Sequence, residues 1–336
     1  MKPLVFVTRD IPSNGLEILK EFCEVKVWSE SFPPPKQELI KNAKEAYGLL
    51  CMLNDKIDSE VLNSVLNLKV ISSMSAGFDH IDVEEATNKG IYVTNTPEVL
   101  TEATADLTWA LLMAAARLIV KADNYVRQRR WKEGWSPTLF LGENVYGKTL
   151  GIIGAGKIGL AVAARASGFN MKKIYFNRSK LPKEIEEKYG LTYKPLEELL
   201  KEADFVTIHT PLTKETYHMI GEDQLKLMKR TSILINTARG AVINENALIK
   251  ALKEKWIAGA ALDVFEKEPI NPDNPLLELD NVVVTPHIGS ATKETRIKMA
   301  EIAAKNLVSV LKGELPIYLV NPEVQKIMPL HKVKVI

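Results

Sequence analysis

Three segments in the last third of the chain carry side chains suited to anion and proton chemistry. They are Asn236-Thr237-Ala238-Arg239-Gly240, Asp263-Val264-Phe265-Glu266-Lys267-Glu268-Pro269 and Thr285-Pro286-His287-Ile288-Gly289-Ser290. An arginine presents a planar fork that grips paired oxygens and keeps its proton. A histidine exchanges a proton near neutral pH. A carboxylate beside it would orient the ring and favour the imidazolium. Each segment follows an apolar stretch that reads as a strand, and ligands gather at the carboxyl ends of strands in open parallel sheets. Periodicity alone leaves Glu266 and Glu268 as alternatives for the acid. His80, His218 and His331 stand in polar or terminal contexts and read as surface residues, whereas His209 ends a strand and is expected near a cofactor.

A fourth segment, Gly154-Ala155-Gly156-Lys157-Ile158-Gly159, fits the G-x-G-x-x-G pattern. It follows the apolar run Leu150-Gly151-Ile152-Ile153 and opens a helical pattern from Leu160. In that setting Gly154 allows the tight turn, Gly156 lets backbone approach a pyrophosphate and Gly159 lets helix pack on strand. The N–H groups of the helix N-terminus then favour the phosphates. An NAD-specific site places an acid about 20 residues on, at the ribose 2′-OH. Asn177 stands there instead, followed by Arg178, Ser179 and Lys180. These groups suit a 2′-phosphate, so NADP(H) is the expected cofactor, with NAD(H) as the alternative.

The elements that must position these groups are strands alternating with helices. Runs 4–8, 25–28, 48–52 and 70–73 read as strands, with helical patterns at 16–22 and 36–44 between them. A second series follows at 149–153, 173–176, 205–209, 233–236, 258–262 and 282–285. Such alternation implies parallel sheets covered on both faces. The fold class is therefore α/β, with two doubly wound, Rossmann-like domains. Residues 292–311 read as a long helix stopped at Gly313, and the proline-bearing tail beyond reads as irregular.

The apolar segment 107–120 is shorter than the ~20 residues a membrane span needs. It is read as a helix buried between domains or subunits. The first strand is too short for a signal sequence, so the expected location is the cytoplasm. Lys and Arg number 44 against 42 Asp and Glu, a balance that gives no reason to expect nucleic acid or a membrane surface as partner. Two cysteines, Cys23 and Cys51, exclude a disulfide framework and a cysteine metal site. No metal is expected.

The four motifs, in this order, resemble those of the D-isomer-specific 2-hydroxyacid dehydrogenases, and within them the glyoxylate and hydroxypyruvate reductases most. The resemblance covers nearly the whole chain. It implies a homodimer, and a substrate domain of residues 1–99 and 289–336 interrupted by a cofactor domain of 100–288. It selects Glu268 over Glu266 and makes Arg239, Glu268 and His287 the catalytic set. Arg239 would hold a 2-keto acid, His287 would protonate its carbonyl oxygen as hydride arrives at carbon, and Glu268 would hold the ring. Beyond the glycine motif and the 177–179 segment, expected cofactor contacts are His209, Pro211, Thr237, Ala238, Asp263 and Gly289.

The resemblance also places substrate-binding backbone at Ala76 and Gly77, with Leu53 as an apolar wall. Phosphoglycerate dehydrogenases of this family carry an arginine in that loop. Here Ser73 stands near its place and no cation occurs from Ser72 to Gly77. A small unphosphorylated acid is the expected substrate. Phosphoglycerate, D-lactate and formate dehydrogenases, and the corepressors resembling this family, are the alternatives. Trp135 either reaches a neighbouring subunit's site or packs in the dimer.

Overall fold

The computed structural model describes residues 2–336. The chain divides into two compact units, residues 1–100 with 290–336, and residues 101–289. The expected divisions lie one residue earlier at each crossing. Leu100 packs with the first unit's core, and the Gly289 N–H donates to Asp263 of the second.

The first unit holds five parallel strands: β1 (Leu4–Val7), β2 (Glu24–Val27), β3 (Gly48–Cys51), β4 (Val70–Ser73) and β5 (Tyr92–Thr94), in the order β2-β1-β3-β4-β5. Side chains alternate between the two faces of a strand. Val5, Val7, Leu50, Val70 and Tyr92 face helices Ser13–Phe22 and Lys293–Leu311. Phe6, Leu49, Cys51, Ile71 and Val93 face helices Lys36–Ala43, Ser59–Ser64 and Val83–Asn88. Both faces are apolar because both are covered, as a parallel sheet requires.

The second unit holds seven: β6 (Thr149–Ile153), β7 (Lys172–Phe176), β8 (Leu191–Tyr193), β9 (Phe205–Ile208), β10 (Ile233–Asn236), β11 (Gly259–Leu262) and β12 (Val282–Val284). All pair in parallel, in the order β12-β11-β10-β9-β6-β7-β8. From β6 the chain winds outward through β7 and β8. It then returns to β9 and winds the other way. The switch point is therefore between β6 and β9, where a doubly wound sheet opens its crevice.

The structure departs from expectation in four elements. Segment 107–120 is not one helix. Helix Thr101–Ala116 ends there, and helix Ile119–Arg127 starts at an angle of 65° to it. Leu118 makes the break by adopting the left-handed conformation, φ 54. The first helix packs within its own unit, with Trp109, Leu111 and Leu112 buried against helix Lys157–Ala166 and the sheet. No single helix among the described residues is long and apolar enough to cross a membrane.

The tail after Gly313 is not irregular throughout. It forms the short helices Val324–Ile327 and Leu330–Val333 and is tied to the first unit. Tyr92 Oη donates to the Met328 carbonyl at 2.7 Å, and buried Asn321 accepts from Val93 N at 2.8 Å. Strands β5 and β8 have only three residues each, too few for alternation to stand out.

Candidate active site

The glycine loop follows β6. Gly154 has φ +95, and a Cβ there would press on the His209 and Thr210 backbone at 2.8 Å. A Cβ on Gly159 would overlap the Gly154 carbonyl. Gly156 has open space on its Cβ side and caps helix Lys157–Ala166. The first and third glycines therefore serve packing, and the second leaves a cradle at a helix N-terminus. Ile158 packs on the core behind it, while Lys157 is exposed.

Asn177, just past β7, accepts from the Ala155 N–H at 2.7 Å. Its side-chain oxygen braces the glycine loop. Arg178, Ser179 and Lys180 are exposed beyond it, and Lys180 Nζ stands 5.0 Å over the Tyr193 ring. The Glu215 carboxyl is held below its ordinary range by the Thr213 hydroxyl first and also by the Arg178 charge, which puts Arg178 near the turn opened by Pro211.

At the end of β9, His209 Nε2 and Thr210 Oγ1 are buried with no partner among the described residues. Burial pushes the His209 pKa down to about 3, so its ring is neutral. Buried polar atoms normally find partners. An open cradle at Gly156, a helix N-terminus and two orphaned polar atoms at the switch point fit a nicotinamide dinucleotide.

The three acid–base and anion groups end neighbouring strands. After β10, Asn236 ties its own loop: Oδ1 accepts from Ala238 N at 3.0 Å, and Nδ2 donates to the Arg239 carbonyl at 2.9 Å. Thr237 Oγ1 meets Thr108 Oγ1 at 2.9 Å, and Arg239 Nη1 donates to the Ala238 carbonyl at 2.9 Å. Gly240 lies flat against β11's loop, where a Cβ would overlap the Phe265 and Glu266 backbone.

After β11, Glu268 Oε1 accepts from Phe265 N at 3.1 Å, and Oε2 meets His287 Nδ1 at 2.7 Å. After β12, His287 adopts φ 53, uncommon for a residue with a side chain. Its N–H donates to the Asp263 carbonyl at 2.9 Å. The buried Asp263 carboxylate accepts from Thr285 Oγ1 at 2.6 Å and from Ile288 N and Gly289 N at 2.8 Å each. Burial raises its pKa, against the pull of those donors and of the His287 charge. Asp263 and Gly289, expected as cofactor contacts, also clamp the turn that carries His287.

Glu266 pairs with His218 Nε2 at 2.7 Å and accepts from Glu245 N at 2.9 Å, closing the start of helix Glu245–Lys253. His218 is therefore a half-buried, paired residue that stacks on Tyr217 at 3.9 Å, not a plain surface one. His80 likewise is half-buried and bonded to Ser73, while His331 is exposed.

In the first unit, Leu53 is half-buried in the turn after β3. The buried Asp55 holds that turn, accepting from Met52 N at 2.7 Å and from the Thr8 hydroxyl. Ala76 and Gly77 are half-buried in the loop after β4. Sequence reasoning missed Asn236, Asp55 and Thr285 as supports. The only signal was a short polar side chain at a strand end, which many turns share.

The family model described as D-isomer specific 2-hydroxyacid dehydrogenase, NAD binding domain, matches residues 109–289. A glyoxylate reductase of Korarchaeum cryptofilum is 55% identical over 98% of this chain and 99% of its own. One of Thermococcus litoralis is 56% identical over 96% and 98%. Among solved structures, a protein from Thermus thermophilus has a TM-score of 0.89 at 48% identity, covering 94% of this chain and 99% of that one. An NADPH-dependent glyoxylate/hydroxypyruvate reductase of Sinorhizobium meliloti, solved with NADP and malonate, has a TM-score of 0.86 at 32% identity, covering 96% and 98%. The match to the family model over residues 109–289 and the likeness over nearly the whole length show that the chain, with its glycine cradle at the switch point and its arginine, glutamate and histidine at successive strand ends, belongs to the D-isomer specific 2-hydroxyacid dehydrogenase family.

Proposed function

We propose that the chain reduces small 2-keto acids, glyoxylate and hydroxypyruvate foremost, to their 2-hydroxy acids. The observation that carries this is the 2.7 Å pairing of His287 with Glu268, one strand from Arg239. The relatives named glyoxylate reductase support the choice of substrate. Ser73 supports it too: its hydroxyl is buried and engaged, and offers no cation to a phosphate ester.

The cradle at Gly156 and the helix N-terminus behind it would hold a nicotinamide dinucleotide, which would supply a hydride for the carbonyl carbon. Arg239 holds the acid's oxygens with its fork and draws electron density toward them. His287 gives a proton to the carbonyl oxygen from Nε2, because Nδ1 is committed to Glu268. Glu268 balances the charge of the imidazolium and fixes the ring plane, while its bond from Phe265 N fixes the carboxylate. Asp263 clamps the turn on which His287 rides. In the reverse direction neutral His287 takes the hydroxyl proton.

NADPH is the preferred reductant in this reading. Asn177 adds no negative charge near the ribose, and Arg178 and Ser179 are exposed beside it. The Sinorhizobium relative, described as NADPH-dependent, supports the choice. The protein acts as a homodimer. Ile119, Val120, Val126, Trp131, Trp135 and Leu141 are all exposed, Trp135 by 85%, a concentration of apolar surface typical of an interface. Sedimentation at micromolar concentration tests it, and a monomer overturns it.

The deciding assay is loss of NADPH absorbance with glyoxylate, hydroxypyruvate, pyruvate and 3-phosphohydroxypyruvate. Turnover of the first two is expected. Activity confined to the phosphorylated acid, or none at all, overturns the proposal.

A further inference from the structure

The loop after β4 contains a chain of hydrogen bonds whose direction can be deduced. Ser75 Oγ donates to the Gly77 carbonyl at 2.6 Å. A hydroxyl has one proton to give. Ser75 Oγ therefore accepts in its 2.7 Å contact with Ser73 Oγ. Ser73 has then spent its own proton, and accepts in its 3.0 Å contact with His80 Nε2. That nitrogen must carry hydrogen. Cys51 Sγ, 4.0 Å from it, remains a thiol because burial pushes its pKa up, so no thiolate competes for that hydrogen. Ser73 and Ser75 are buried, where such networks are stronger than in water.

The far end of this chain bears on how the loop faces its ligand. The Ser75 carbonyl takes Thr96 N at 2.8 Å, and the Phe78 carbonyl takes Ile81 N at 3.0 Å. The Ala76 carbonyl takes Asn95 Nδ2 at 2.7 Å. Asn95 is itself held, since its carbonyl accepts from Asn306 Nδ2 at 3.0 Å. With Gly77, four successive carbonyls are engaged by the unit's own donors. The N–H groups of Ala76, Gly77 and Phe78 have no acceptor among the described residues. Successive outward N–H groups make a concavity for an anion.

We propose that His80, Ser73 and Ser75 are positioning residues that lock the Gly77 peptide, so that the N–H groups of Ala76 and Gly77 meet the carboxylate of the 2-keto acid. The inference rests on the functional reading above and names the device that serves it. Ser73 is the pivot: a neutral hydroxyl that both accepts and donates. None of the three touches the substrate. Each acts through the next, and the last acts through a carbonyl.

Steady-state kinetics with glyoxylate at saturating NADPH test the device. Ser75→Ala and Ser73→Ala should raise KM on the order of tenfold, the effect of one misdirected bond to a charged group. They should leave kcat little changed, because the lost contact holds substrate and transition state alike. Ser75→Thr keeps the hydroxyl and should return KM toward the wild-type value. An active wild type whose Ser75→Ala variant keeps its KM overturns the inference and leaves the functional reading standing. A wild type inert to every 2-keto acid overturns the functional reading instead. A measurement on the unaltered protein guards against variants that fold poorly. In a spectrum of 15N-histidine protein, with the His80 signal assigned by its loss in His80→Gln, Nε2 should be protonated. A bare Nε2 reverses the chain's direction and overturns the inference whatever the kinetics.

Discussion

His287 Nδ1 lies 2.7 Å from Glu268 Oε2, and neither partner is free to wander. Glu268 is held through its second oxygen by Phe265 N, and His287 through its own N–H by the Asp263 carbonyl. The pair joins the loops of adjacent strands, β11 and β12. If it works as an acid–base unit, reduction draws on the protonated ring and oxidation of the hydroxy acid on the neutral one. Glu268→Gln keeps the shape and removes the charge that balances the imidazolium, so the rate of reduction should fall by about tenfold or more. Rates of reduction in the two proteins check this, with a deuterated cofactor to confirm that hydride transfer limits the rate. An unchanged rate would break the pairing. His287→Ala should cost about 10²–10⁴-fold in rate.

Arg239→Lys keeps the charge and loses the fork. A charge-assisted bond is typically worth ~1.5–3 kcal/mol, so KM for glyoxylate should rise by about ten- to a hundredfold. Unchanged kinetics would remove Arg239 from the substrate.

Arg178→Ala should weaken NADPH by about ten- to a hundredfold on the same arithmetic and leave NADH nearly untouched. Asn177→Asp adds a charge that repels a 2′-phosphate and should favour NADH. Cofactor titrations followed by fluorescence report both. Equal loss for the two cofactors in Arg178→Ala would contradict the assignment.

His209 gives the second unit an acid sensitivity. Its pKa falls from 6.5 to about 3 on burial. The unfolded chain binds a proton below the ordinary value, and the folded ring refuses it. Stability therefore declines as pH falls from about 6.5 toward about 3, with a slope of at most about 1.4 kcal/mol per pH unit from this group. Urea midpoints at pH 7.5, 6 and 5 should drift down less in His209→Gln than in the wild type. Parallel drifts would mean that the ring titrates freely.

Much of this arrangement is legible in the sequence. The glycine pattern sits between a strand and a helix, and each reactive side chain follows an apolar run. Parallel pairing then brings those ends to one edge. What escaped is local. Nothing in the apolar composition of residues 107–120 marks Leu118 as the residue that turns left-handed, because hydropathy does not encode a dihedral angle. Glu266 and Glu268 could not be told apart by period, since the loop that separates their partners, His218 and His287, is irregular. The support of Ala76 and Gly77 by Ser73, Ser75 and His80 was invisible for another reason. Short-range polar contacts in a loop depend on dihedral angles that no periodicity encodes.

Gly240 sits so close to Phe265 that the arginine loop and the glutamate loop have no room to shift independently. Substitutions in the two loops should therefore not be expected to act as separate perturbations. A double-mutant cycle between them would register the backbone they share as well as the chemistry. Selection for a new substrate faces the same constraint: enlarging the space around the guanidinium drags the proton-transfer machinery with it.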